Sequence, residues 1–148
     1  MAMPKPLTIV PAVHRAAHRI GLFLSGLTTD GLSQGEAHIL AHLAVSGSAP
    51  MADLHRGLAH KRSTLTSLLD RLTARGLVTR EIGRADRRTF VIALTPGGRT
   101  VAARIHAQLV AREAAVSKRV PKGSLRALTL LLGSLEEEAH ARASRRRR

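Results

Sequence analysis

GRADRRTF, residues 83–90, sets Arg84, Arg87 and Arg88 around a single carboxylate, Asp86, directly before an apolar Phe–Val–Ile–Ala–Leu run. Guanidinium groups this close repel one another unless a polyanion neutralises them. A narrow DNA minor groove focuses the negative potential that suits arginine. Asp86 lies two residues from Arg88 and can orient that guanidinium while relieving repulsion between its neighbours. A plain basic turn with Asp86 as turn former would carry the same residues. Upstream, Lys61 and Arg62 open STLTSLLDRLTARG, where Leu65, Leu68, Leu69 and Leu72 recur at helical spacing. With the leucines inward, Ser63, Ser67, Asp70 and Ala74 lie opposite, Thr64 and Arg71 to one side and Thr66 to the other. Short hydroxyl side chains let such a helix lie deep in a major groove and meet base edges or phosphates. Lys61, Arg62, Arg71 and Arg75 supply charge around it. Alone, an ordinary solvated face would read alike.

Elements on either side must hold these groups. Residues 11–25 place Val13, Ala16, Ala17, Ile20 and Leu24 on one helical face, with Pro11 in the first turn. Gly31 and Ser33 interrupt the chain, and residues 34–46 form a second helix with Ile39, Leu40, Leu43 and Ala44 inward. Pro50 opens a short third helix, about 51–58, and the leucine-rich helix stops at Gly76. Residues 77–95 read as a hairpin carrying the arginine cluster at its tip. Thr95–Pro96 starts a long helix with Val101, Ile105, Leu109 and Val116 inward. After Pro121–Lys122–Gly123 a last helix carries Leu125, Leu128, Leu131, Leu132 and Leu135, and the chain ends in Arg145–Arg148. Two short helices joined tightly and followed by a hairpin make a winged helix-turn-helix. The expected fold class is mainly α with a small β-hairpin wing. The flanking helices have apolar stripes without an obvious internal partner, which predicts a dimer. The expected organisation is an N-terminal dimerisation helix (8–31), a DNA-binding lobe (32–96), C-terminal dimerisation helices (97–141) and a basic tail (142–148).

Composition agrees. In 148 residues, 24 Lys and Arg face 10 Asp and Glu, a formal charge of +14 that attracts polyanions. Two Phe and no Trp or Tyr argue against stacking single-stranded bases on aromatic rings. The absence of cysteine excludes disulfides, thiolate metal sites and thiol switches. With no signal-peptide core and no membrane-length apolar run, a cytoplasmic location is expected. There is no phosphate-cradling glycine loop or nucleophile elbow, so neither an enzyme nor a cofactor is expected.

Three segments together resemble the MarR family of bacterial winged-helix regulators: GLSQGEAHILAHLA, STLTSLLDRLTARGLVTR and ADRRTFVIALTPGGR. The last matches the family's D-x-R wing motif (Asp86, Arg87, Arg88) and its L-T-x-x-G motif (Leu94, Thr95, Gly98). The resemblance covers about half the chain, Leu32 to Arg99. It implies a homodimer on a pseudo-palindromic double-stranded operator, with residues 63–75 of each subunit in successive major grooves. Arg88 would enter the minor groove, held by Asp86. It also implies a cleft for a small, often phenolic or anionic, effector that releases a repressor from DNA. Two residues depart from the family's third-helix pattern: His55 stands where alanine is usual, and Gly57 lies inside the helix. The lack of cysteine sets the chain apart from the peroxide-sensing branch.

His14/His18 and His38/His42 are i, i+4 pairs on helices that, by resemblance, border this cleft, and His106 lies on the fifth. They are candidate ligand-binding residues. No acidic or thiolate partner accompanies them, so no metal site is assigned. A metal- or pH-responsive regulator of the same fold, and a ligand-independent protein that coats DNA, remain the alternatives.

Overall fold

The computed structural model describes residues 5–27, 31–83 and 89–145. Arg84, Asp86, Arg87, Arg88 and the end of the arginine tail lie outside the described residues. In order, the chain forms α1 (Ile9–Gly26), α2 (Gln34–Ser46), β1 (Ser48–Pro50), α3 (Met51–Leu58) and α4 (Arg62–Ala74). Then come β2 (Val78–Ile82), β3 (Phe90–Leu94), α5 (Pro96–Ser117) and α6 (Ser124–Arg145). It divides into two compact units, Met1–Leu109 and Val110–Arg148.

The first unit is a mostly helical lobe with a three-stranded antiparallel sheet ordered β1-β3-β2. Its core is aliphatic: Ile39, Leu40 and Leu43 of α2, Leu54 of α3, Leu65, Leu69 and Leu72 of α4, Val78, Ile92 and Ile105 are all sealed from solvent. The four leucines of the α4 pattern are buried together, as their spacing predicts. Ends are set locally. Ser33 and Glu36 form a reciprocal capping box at the start of α2. Gly76, at φ 66°, turns the chain from α4 into β2. Thr95 Oγ1 accepts from the Gly98 N–H at 2.9 Å and caps α5, with Pro96 its first residue.

Pro50 does more than open α3. It ends β1, a strand the sequence reading lacks, whose Ala49 faces Ile92 in the register. Three residues are too few to show a period, and the strand exists only because β3 offers its free edge. The expected stripe of α1 is also corrected. Gly21 and Leu24 are its buried residues, while Ala16, Ala17 and Ile20 are exposed. A Cβ at Gly21 would come within 2.3 Å of the Gln34 side-chain amide, the end of an exposed side chain that would have to swing aside.

The second unit holds the end of α5, the turn at Pro121–Gly123 and α6. Val110, Val116, Leu125, Leu128 and Leu131 are all exposed, and α6 has no buried residue among those described. An apolar period marks which face seeks cover; it does not supply the cover.

Candidate nucleic-acid interface

The outer surface of α4 is the core of the site. Lys61, Arg62, Ser63, Thr64, Thr66 and Ser67 are all exposed. Ser67 Oγ donates to the Ser63 carbonyl at 3.0 Å, so one lone hydroxyl turns back to the helix while the rest face outward. Beside this face, Pro50, Met51, Arg56, Arg62, Thr66 and Phe90 border a hollow of about 500 Å³ between α3, α4 and the hairpin. Arg56 is paired with Asp53 one turn back.

Two expected cationic contacts are engaged within the lobe. Arg71 Nε donates to Glu36 Oε1 at 3.1 Å, and Arg75 donates to the Gly31 carbonyl at 3.3 Å. Glu36 is buried, its side chain 4% exposed. Burial alone would raise its pKa. The Ser33 hydroxyl and N–H outweigh that together with the Arg71 guanidinium, and hold the carboxyl below its usual value. Glu36 thus fastens α4 to the start of α2. Sequence spacing gives no hint of a pair 35 residues apart.

Arg80 was missed as well. Its guanidinium, projecting from β2, donates to Asp70 Oδ1 at 2.7 Å and to the Thr66 carbonyl at 3.3 Å.

His38 and His42 are exposed on α2, as are His14 and His18 on α1, and His106 is half-buried. His38 shares its surroundings with His42 and with His60, which the sequence reading did not single out. His38 keeps solvent access, but the protein packed along part of its ring displaces water and lowers its pKa below 6.5, and the positive charges of His60 and His42 push it the same way. His60 Nε2 is buried without a hydrogen-bond partner. His42 lies over Gly57, where an added Cβ would sit 3.0 Å from its Cε1. An alanine at that position would require the imidazole to shift by a few tenths of an ångström. Among the described residues no three His, Cys, Asp or Glu side chains are grouped to hold a metal ion.

The unfolded chain protonates His38 more readily than the folded one does. Its effect on stability is therefore nil above the usual histidine pKa of 6.5 and becomes unfavourable as pH falls through the lower folded value. Thermal melts between about pH 7.5 and pH 5.5 should show the midpoint falling, and His38→Gln should flatten the slope. An unchanged slope in the variant would remove His38 as its source.

The model of the MarR family matches residues 30–89, the segment from the start of α2 to the hairpin. Over that segment the chain is similar to the MarR family. Solved structures extend the likeness of fold to most of the chain. A probable transcriptional regulator from Pseudomonas aeruginosa is 25% identical, with 86% of this chain and 96% of that one covered at a TM-score of 0.63. The MepR–DNA complex of S. aureus is 17% identical, covering 90% and 99% at 0.73. PcaV of Streptomyces coelicolor, in complex with its natural ligand, is 17% identical, covering 94% and 99% at 0.71. No curated protein sequence matches the chain. The MarR-type L-T-x-x-G motif gains a physical reason here: Thr95 caps α5, and Gly98 lets that helix approach the Leu77 carbonyl.

Proposed function

We propose that the protein is a sequence-specific regulator of transcription that binds double-stranded DNA as a homodimer and is released by a small effector. The observation that carries this reading is α4 itself. Its leucine face is buried in the lobe, and its short hydroxyl side chains and two flanking cations, Lys61 and Arg62, are exposed beside a β-hairpin. Lys61, Arg62, Ser63, Thr64, Thr66 and Ser67 meet the major groove in this scheme. Arg84, Arg87 and Arg88 reach the adjacent minor groove, with Asp86 steadying Arg88. Arg71 and Arg75 act mainly as braces. The MepR–DNA complex shares the fold, which supports the reading. No helix among the described residues is long and apolar enough to cross a membrane, in keeping with a regulator working in the cytoplasm. No catalytic role is assigned to any residue.

The dimer rests on the bare leucines of α6 and the exposed Ile9, Val10, Ile20 and Leu22 of α1. Leu128→Asp should convert a particle of two chains into one of a single chain in sedimentation equilibrium. A wild-type protein already monomeric would end the two-fold model. The effector cleft is assigned to the neighbourhood of His14, His18, His38, His42 and His106, whose imidazoles suit an anionic or phenolic ligand. PcaV, which shares the fold, holds a ligand of its own.

The deciding test is titration of labelled DNA from upstream of the gene, with excess random competitor and a salt series. Tight, competitor-resistant protection of a two-fold site, weakened by phenolic acids, is the expected result. Binding that disappears under competitor would indicate a coating protein. The cluster His38, His42 and His60 favours a second reading, in which protonation alters the grip on DNA; the same titration across pH checks it.

A further inference from the structure

Asp70 is the one acidic residue of the recognition helix, and it stands on the face away from the leucines, with its side chain 59% exposed. A lone carboxylate there would be repelled by phosphates. The sheet shows why it is tolerated. Side chains alternate along a strand, so Val78, Arg80 and Ile82 of β2 share one face. Val78, opposite Leu94, is buried on that face, and Arg80 is the next position along it, opposite the buried Ile92. Arg80 therefore leaves the sheet on its helix-facing side, at the rim of the core, with its side chain 33% exposed. Its guanidinium covers one turn of α4, from the Thr66 carbonyl to the Asp70 carboxylate. Both contacts are made by one nitrogen, Nη2, which bridges the two groups and so fixes the guanidinium's position as well as neutralising the carboxylate. Glu36–Arg71 ties α4 to α2; nothing in that pair governs where the hairpin stands.

We propose that Arg80 and Asp70 form a positioning pair that locks the base of the wing to the outer face of the recognition helix, so that helix and hairpin meet DNA as one body. The pair acts through the residues that touch DNA, and the proposal rests on the DNA-binding reading above.

The test compares full-length wild type, Asp70→Asn, Arg80→Gln and the double variant on the DNA fragment that wild type selects under competitor, across a salt series. Each single variant should weaken specific binding by about two- to five-fold per subunit, and the double variant should be no weaker than the worse single. The salt slope should stay constant through the set, because neither residue meets a phosphate. Arg80→Lys, which keeps the charge facing Asp70, should recover part of the loss. Both positions are at least partly exposed, and melting curves confirm that the variants fold.

Tighter binding by Asp70→Asn would expose a merely repulsive charge and overturn the pair. So would additive losses, an altered base preference in Asp70→Asn, or a salt slope lowered by about one per subunit in Arg80→Gln. Those outcomes leave the regulator standing. A wild type with no site preference would overturn the regulator and the pair together.

Discussion

Gly98→Ala is expected to lower the stability of the first unit by about 3 kcal/mol, a large part of what a small domain possesses. The added Cβ would lie 1.8 Å from the Leu77 carbonyl oxygen. That oxygen cannot step aside cheaply. It accepts from the Thr95 N–H at 3.1 Å, so moving it breaks the joint between β2 and α5. Gly97→Ala is the control, since the nearest atom to its Cβ would be Thr95 Oγ1 at 3.9 Å. There alanine should be neutral or stabilising by about 0.5–1 kcal/mol. Urea unfolding of both variants measures the contrast. Equal midpoints would mean that the α5 backbone moves freely enough to accept the methyl group.

Glu36→Ala should cost about 2–3 kcal/mol at neutral pH, from a lost cap, a lost ion pair and a void where a buried side chain stood. Acid gives the sign of its charge-dependent part. The folded pKa lies below 4.5, so the contribution is complete above that value and is lost as pH falls through the folded one. The gap in unfolding free energy between wild type and variant should therefore narrow from about pH 7 toward pH 3. A gap that stayed constant would assign the cost to packing alone.

Local and distant contacts leave different traces in a sequence. The burial of Leu65, Leu68, Leu69 and Leu72 is written in local spacing, and so are the stop at Gly76 and the Thr95–Pro96 start. Those features need only neighbours in sequence. β1 needs β3, more than forty residues on, and Ser-Ala-Pro says nothing of it locally. Glu36–Arg71 and Arg80–Asp70 escaped for the same reason: a charge shows in a sequence, but its partner does not. The stripe of α1 is legible as a pattern, but a pattern is not burial: Ile20 is exposed among the described residues. For the interface, the exposed residues of α4 stand where spacing put them. Arg71 and Arg75 took up internal partners that spacing could not show.

β1 has a consequence for life on a crowded chromosome. Unpaired strand edges are adhesive, and copies of a protein lined up along one polyanion come within reach of each other. This sheet closes one side with three residues that end at Pro50, which has no N–H to offer a neighbouring strand. The other side, β2, carries Arg80 and Glu81 in its middle. Neither border is long enough or apolar enough to recruit another strand. The sheets of neighbouring copies therefore offer each other a poor edge for strand pairing.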